Sequence, residues 1–446
     1  MAKSCGATQL GADRFSYPSL ERPIQMKRRM FIQTGLSFCA LSYFSAGVAS
    51  DFGASKGFPG GWPPLNERGG QPLPWVNQDY LVNNMSGGME PLFKHAVVKA
   101  SSTPSILTSQ ATRLKLNTNT SFEDYQKQLG KPAMLVARGH VVHYENYAFE
   151  RNASMRFYSK SMAKSVLGLL TGLALENGVI KSLDDSIEKY DERLKGKPLG
   201  AVKIQHALNM SSGVDICQLH CGQRNDYERW EEASFAGQGR VDRILGRMRT
   251  LNTDADKTAI EWPWGFKNPS GTQFNYSSVD PHLVSMAIRG GAKMSIAEFT
   301  EKMLWQPLGA QADALWFTDS KLSEEVAGSF CATLRDWGRI GLLVAQKGAA
   351  NGKQILSESW FNHYRNFKEE YAYLKPGNIA NKPNKEGYKN FVHIPFDNPS
   401  WLRFGGDLGQ AVYIDHKTGT VMVILSVNNN AQAYNDLFKA SIATLG

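Results

Sequence analysis

Cysteine is scarce in this chain, five among 446 residues, and a chain of that length buries a large core without cross-links, so no disulfide scaffold is needed to explain its fold. Long basic runs are absent as well. No five consecutive Lys or Arg residues occur, and the positive charges are interleaved with Asp and Glu. Neither a zinc-finger spacing nor an aromatic and basic ribonucleoprotein motif is present, so the formal charge of +9 does not point to nucleic acid. The 41 glycines show no collagen-like period, and no repeat of roughly 20–50 residues is visible. At 42% hydrophobic and 20% charged, what remains is an ordinary globular chain rather than a disordered one.

One segment reads as an address. Met26-Lys27-Arg28-Arg29-Met30-Phe31-Ile32 precedes an apolar stretch that runs to Val48 and ends in small residues. Charged n-region, apolar h-region and small residues follow the order of an export signal. Arg28-Arg29-x-Phe31-Ile32 matches the twin-arginine type, and Gln33, Thr34, Gly35 and the serines keep its h-region weakly hydrophobic. The alternative is a membrane span, but small and polar residues interrupt the ~20 apolar residues that a spanning helix wants. A lipid anchor on Cys39 is disfavoured by Phe38 before it. Met26 reads as a translation start, and cleavage is expected after Ala49 or Ser50. Residues 1–50 hold six Lys/Arg and two acids, so removing them reduces the charge to +5. The expected location is periplasmic.

Residues 51–119 are Gly-, Pro- and Asn-rich and read as an arm with little regular structure. A short helix is expected over Phe122–Leu129. Met134–Ala137 and Val141–Tyr147 read as a hairpin around Arg138-Gly139-His140. Ser161 to Asn177 has the spacing of a buried helix stopped by Gly178. Helical runs and long loops fill about 180–330, and an amphipathic helix is expected over Ala332–Gln346. Gln410–Asp415 and Thr420–Val427 read as paired strands around His416-Lys417-Thr418-Gly419, with helix from Ala431 onward. Strands at both ends and helices between them predict an α+β fold, an antiparallel sheet flanked by helices with an inserted helical subdomain.

Ser161-Met162-Ala163-Lys164 opens the buried helix. Residues three apart share a helical face, so the Lys164 amine can reach the Ser161 hydroxyl. Serine is a weak nucleophile until a neighbouring base takes its proton, and lysine serves only where burial or nearby cations lower its pKa from ~10.4. A bare S-x-x-K says little: Ser186-Ile187-Glu188-Lys189 also matches but sits among Asp184 and Asp185 in a solvated stretch. Downstream, Asn275-Tyr276-Ser277-Ser278 leads into a helix near Val279. A phenol flanked by cations can act as a base, and Ser278 can donate a hydrogen bond beside it. Near the C-terminus, Arg403-Phe404-Gly405-Gly406-Asp407-Leu408-Gly409-Gln410 runs into a strand whose glycines admit a substrate close to the backbone. The amides of Gln410 and Ser161 are candidates for an oxyanion hole. Taken singly, Ser161 also reads as a capping serine and Tyr276 as core packing. The combination is what argues for chemistry.

The order S-x-x-K, Y-x-S and a glycine-flanked strand motif resembles the serine β-lactamase and penicillin-binding-protein superfamily. The match is to its class C-related branch, which holds family VIII esterases, D-alanyl-D-alanine carboxypeptidases and 6-aminohexanoate-dimer hydrolases. Tyr158–Ser165, Leu208–Gly213 and Ala332–Arg339 support the resemblance, which covers about 120–446. It implies a β-lactamase/transpeptidase-like hydrolase domain over 120–446, with Ser161, Lys164 and Tyr276 as catalytic residues. Ser278, Asp407, Gly409 and Gln410 are its substrate and oxyanion positions, and it implies no metal or other cofactor. Lys417-Thr418-Gly419 spells the family's third motif, but too few elements come after it, so it reads as a hairpin turn and the motif falls at 407–409. There Asp407 replaces the family's Lys or His, and Ser278 stands where β-lactamases usually have Asn. An acid at that place repels the carboxylate of a penicillin. The expectation is therefore an exported esterase or amidase, closest to the 6-aminohexanoate-dimer hydrolases and acting on a small molecule. A carboxypeptidase or β-lactamase, or a non-catalytic binder of peptidoglycan or β-lactams, is the alternative. Cys217-Gln218-Leu219-His220-Cys221 offers at most three metal ligands with no second cluster, and an oxidising compartment favours a Cys217–Cys221 disulfide over free thiols or metal.

Overall fold

A computed structural model of the chain describes residues 82–90, 93–114, 121–128, 130–216, 254–379, 385–427 and 434–446. The export segment and the Cys217–Cys221 loop lie outside these residues. The strands that build the sheets are β1 (His95–Val98), β2 (Thr108–Ser109), β3 (Ala133–Arg138), β4 (Val141–Tyr147), β5 (Arg156–Tyr158), β6 (Ala314–Phe317) and β7 (Phe330–Thr333). They continue with β8 (Gly387–Lys389), β9 (Val392–Ile394), β10 (Trp401–Gly406), β11 (Gln410–Asp415) and β12 (Thr420–Leu425). Five helices pack on the sheets or frame the candidate site: α1 (Phe122–Gln128), α2 (Met162–Glu176), α3 (Val279–Ala292), α4 (Leu334–Ala345) and α5 (Tyr434–Leu445).

The larger sheet has eight strands in the order β8-β9-β10-β11-β12-β3-β4-β2, antiparallel except where β2 joins β4. Its central strands read as continuous apolar runs because both faces are covered. Alternation along a strand sends Met134, Val136, Tyr413, Met422 and Ile424 to one face, where Tyr434, Leu437 and Phe438 of α5 and Phe122 of α1 meet them. Leu135, Ala137, Val412, Ile414, Val421 and Val423 go to the other, into the main core with α2 and α4. This is the α+β layering that the strand and helix order predicts. Asp415 pairs with Thr420, and Gly419 has φ 69°, so Lys417-Thr418-Gly419 is a hairpin turn between β11 and β12.

The sequence did not disclose a second sheet. β1, β6, β7 and β5 form a four-stranded antiparallel layer. β1 comes from the stretch expected to be an arm with little regular structure, and β6 from the stretch expected to hold helical runs and long loops. Val82, Met85, Met89 and Phe93 of that arm are buried with Tyr158, Leu315 and Phe317. The partners of this segment lie far along the chain, as with His95 and Phe317, and local pattern cannot report them. The start of α4 differs for a similar reason: Ala332 and Thr333, expected in the helix, instead end β7 and pair with Phe157 and Arg156 of β5. No helix among the described residues is long and apolar enough to cross a membrane.

α4 lies against β3, β11 and β12 only because glycine faces the sheet. A Cβ on Gly341 would stand 2.5 Å from Val421 Cγ1 and 3.0 Å from Val412 Cγ1. Replacing Gly341 with Leu is expected to lower stability by about 1–3 kcal/mol through overpacking. An unchanged urea midpoint would show that the helix can lift off the sheet at no cost.

Candidate active site

β5 delivers the chain to Lys160, whose φ of 50° is left-handed, and the next residue, Ser161, caps α2. Ser161 makes no side-chain cap bond, so its hydroxyl is not spent on the helix. Its amide, one of the orphan donors at a helix N-terminus, has no acceptor among the described residues. α2 is buried from Met162 to Ala174, which carries Lys164 into the interior with it. Lys164 is 2% exposed; its Nζ donates to Ser161 Oγ at 3.1 Å and to the Ala327 carbonyl at 2.5 Å. The same Nζ lies 5.1 Å from the centre of the Tyr276 ring. An ammonium group has three donors, so two are placed on oxygens and the ring takes the remaining side. The other S-x-x-K pair behaves differently: Lys189 is half exposed and pairs with Asp185 at 2.7 Å, not with Ser186.

Tyr276 is held by its neighbours on the loop. The Asn275 amide donates to Met210 O at 2.7 Å, and Asn275 Nδ2 donates to Val214 O and Ile216 O at 3.0 and 2.9 Å. The Tyr276 ring packs edge-on against Tyr388 at 6.3 Å and near Phe274 at 6.4 Å, forming an aromatic wall beside Lys164. Its phenol makes no hydrogen bond to Ser161; the contact between the two runs through Lys164. Ser278 is buried at the start of α3. Two residues on, buried Asp280 accepts from Ser212 Oγ at 2.6 Å and from the Ser212 amide at 3.2 Å. Leu208–Gly213, in the sequence only a family mark, is thus the frame to which the tyrosine loop is tied. Burial pushes the Asp280 carboxyl up to about 7, against the pull of both Ser212 bonds.

The turn between β10 and β11 closes the third side. Asp407 is exposed on it, Leu408 and Gly409 have φ of 60° and 77°, and Gln410 begins β11. Gly406 is where this strand meets the serine turn: a Cβ there would stand 2.5 Å from Ser159 O and 3.1 Å from Lys160 Cβ. The Gln410 side chain turns inward, its Nε2 donating to Ser426 O and its Oε1 accepting from the Ser426 amide at 3.1 Å. What Gln410 has left to offer a substrate is backbone. Arg403, on the same strand, has Nε 2.8 Å and Nη2 2.5 Å from the Glu386 carboxylate, with His393 Nδ1 3.3 Å from Glu386 on the other side. That guanidinium is neutralised within the protein. The structure therefore brings Ser161, Lys164 and Tyr276 into contact and sets the Gly409–Gln410 turn against the serine strand through Gly406.

Two ionisable groups here left no mark in the sequence. Glu325 stands just before the Ala327 carbonyl that Lys164 binds. Burial pushes its carboxyl up to about 7, while Lys164, Lys160 and the amides of Ala327 and Gly328 pull it down. Lys131, 1% exposed, donates to Ser426 Oγ at 2.7 Å and sits 4.8 Å over the Tyr434 ring. Tyr434 donates in turn to Gly409 O at 3.1 Å, clamping the turn from behind. Burial lowers Lys131 to about 7. No motif announces either residue, because each acquires its role from a partner far along the chain. No cluster of three or more His, Cys, Asp or Glu placed for a metal occurs among the described residues, and the Cys217–Cys221 segment lies outside them.

Comparison with known proteins is consistent with this geometry. The family model described as Beta-lactamase matches residues 119–442. A 6-aminohexanoate-dimer hydrolase of Paenarthrobacter ureafaciens is 23% identical over 330 residues, covering 72% of this chain and 77% of the relative. Among solved structures, a candidate 6-aminohexanoate-dimer hydrolase from Bacillus anthracis aligns with a TM-score of 0.71 at 23% identity, over 83% of this chain and 96% of that one. A family VIII carboxylesterase aligns with a TM-score of 0.54 at 12% identity, over 72% of this chain and 95% of its own. These likenesses carry the fold.

Asp280 and Glu325 hold protons near pH 7 that the unfolded chain releases near pH 4. The unfolded state then binds fewer protons, so the stability they supply is complete below about pH 4 and is lost as pH rises through about 7. Asp280→Asn imitates the protonated carboxyl. It is expected to flatten the fall in unfolding free energy between about pH 4 and 7 by up to about 1.4 kcal/mol per pH unit. Parallel pH profiles for variant and wild type would refute the assignment.

Proposed function

The chain belongs to the β-lactamase family, matched over residues 119–442, and from that premise we propose that it is a serine hydrolase cleaving an ester or amide bond through an acyl-enzyme on Ser161. The observation that carries the reading is the 3.1 Å hydrogen bond between buried Lys164 and Ser161 Oγ. In its neutral form Lys164 takes the hydroxyl proton as Oγ attacks the substrate carbonyl. The amides of Ser161 and Gln410 hold the developing oxyanion, a contribution of several kcal/mol where such donors are preorganised. The tetrahedral adduct collapses, and the leaving alcohol or amine departs with a proton returned by Lys164 or relayed through Tyr276. Water then attacks the ester on Ser161 by the reverse path, restoring the hydroxyl and releasing the acid.

The substrate class is an ester or amide without a carboxylate beside the reacting bond. Asp407 places a negative charge on the turn, and the one cation of that strand, Arg403, is already paired with Glu386. The aromatic wall of Phe274, Tyr276 and Tyr388 suits an apolar portion of the substrate. The likeness to a 6-aminohexanoate-dimer hydrolase supports an amide of that kind as the first substrate to try. The Arg28-Arg29 segment supports export to the periplasm by the twin-arginine route.

The test is turnover of a short-chain p-nitrophenyl ester, a linear ω-amino amide and a penicillin, with intact-mass detection of an adduct on Ser161. Ester or amide turnover is expected, with Ser161→Ala and Lys164→Ala each slower by about 10³-fold or more. Equal turnover by Ser161→Ala overturns the assignment, and a penicillin adduct without ester turnover favours a binder over an enzyme.

A further inference from the structure

On β8, alternation sends Tyr388 toward Tyr276 and its neighbour Lys389 to the opposite face of the strand. Lys389 is 5% exposed, and its Nζ donates to the Asn366 carbonyl at 2.5 Å and lies 5.4 Å from the centre of the Phe367 ring. Among the described residues no carboxylate lies within ion-pair distance of it. A buried charge is normally paired, and one that is not carries a large desolvation cost. Lys389 lines a cavity of about 290 Å³ that also holds Leu175 at the end of α2, Lys181, His363 and Lys368. The acid on its rim, Asp184, is engaged by Lys203 at 3.3 Å, and Lys368 pairs at 3.7 Å with Glu370, both side chains being solvent-exposed so that the pair is weak. The cations repel one another. Burial, then Lys368, lowers Lys389 to about 8, and burial, then Lys389 and Lys368, lowers His363.

We propose that this cavity is a binding site for a small oxyanion, held by Lys389 at its base with Lys181 and Lys368 at its mouth. It lies at the C-terminal end of α2, the opposite end from Ser161, so it is separate from the site of hydrolysis. The volume suits a phosphate- or carboxylate-sized group. Such a ligand supplies the countercharge that Lys389 lacks among the described residues. At neutral pH Lys389 is largely protonated and ready to receive it.

The test is the thermal midpoint of the full-length protein in sodium chloride, sodium phosphate and sodium acetate at equal ionic strength. Phosphate, or phosphate and acetate together, is expected to raise the midpoint above chloride by about 2 °C or more. A response to phosphate alone assigns a phosphate-type ligand, and a response to both assigns a general oxyanion. Lys389→Met is expected to abolish the response while matching or exceeding the wild-type midpoint in chloride, because it removes an unpaired buried charge. Should that variant fail to fold, the exposed pair Lys181→Gln and Lys368→Gln provides the check. Together they are expected to weaken phosphate binding, measured by calorimetry, by roughly 3- to 10-fold with ester turnover in chloride unchanged. No oxyanion effect beyond chloride, a full effect in Lys389→Met, or unchanged phosphate affinity in the double variant overturns the site.

Discussion

The hydrogen bond between Lys164 and Ser161 is the constraint around which the molecule is arranged. Sinking an ammonium group into an apolar helix is unfavourable unless its donors are met, and the structure meets them from three separate parts of the chain. The serine is on the same helix, one turn away. The Ala327 carbonyl comes from the loop between β6 and β7. The Tyr276 ring comes from the loop before α3. The second sheet and the inserted helices hold those two loops in place. They are therefore structural necessities of a buried lysine as much as independent features of the fold.

The third side of the site obeys a different physics, that of close approach. Gly406 lets β10 touch the turn that carries Ser161, and Gly341 lets α4 lie flat on the strands behind it. Distances of 2.5 Å to a hypothetical Cβ leave no room for any side chain. The Gly409 turn is then fixed from the rear by Tyr434 and, through Gln410 and Ser426, by Lys131. Under the proposed mechanism the Gln410 amide must not move as charge develops on the oxyanion, and these buried bonds restrain it.

Much of this was legible in the sequence wherever the signal is local. The spacing of Ser161 to Gly178 gives the buried helix, since both its period and its stop lie within one segment. The elements left after Gly409 and after Gly419 tell the strand motif from the hairpin turn, because the sheet needs two more strands and a closing helix beyond the motif. Asp185 identifies Ser186-x-x-Lys189 as a surface pair. Where the partner is distant, the sequence is silent. β1 reads as irregular because its mate β6 lies far along the chain, His95 pairing with Phe317. Glu325 and Lys131 look like ordinary surface charges, because nothing in their own segments reveals that Lys131 is buried or that Glu325 is half-buried beside Lys164. Leu208–Gly213 stood out only as a family mark, and its bonds to Asn275 and Asp280 explain why such a segment accompanies the tyrosine loop.

Under the proposed function, the charge pattern among the described residues of the site bears on what it admits. Lys164 is occupied with Ser161 and Ala327, and Arg403 with Glu386, so neither offers a free cation to a substrate carboxylate. Asp407 adds a negative charge on the exposed turn. A ligand bearing an anion next to the scissile bond would have to lose its hydration without gaining a counter-ion, whereas a neutral ester or an amine-bearing amide loses nothing comparable. Restoring a cation at position 407 would therefore be expected to widen the range of substrates toward carboxylates more readily than it improves turnover of neutral ones.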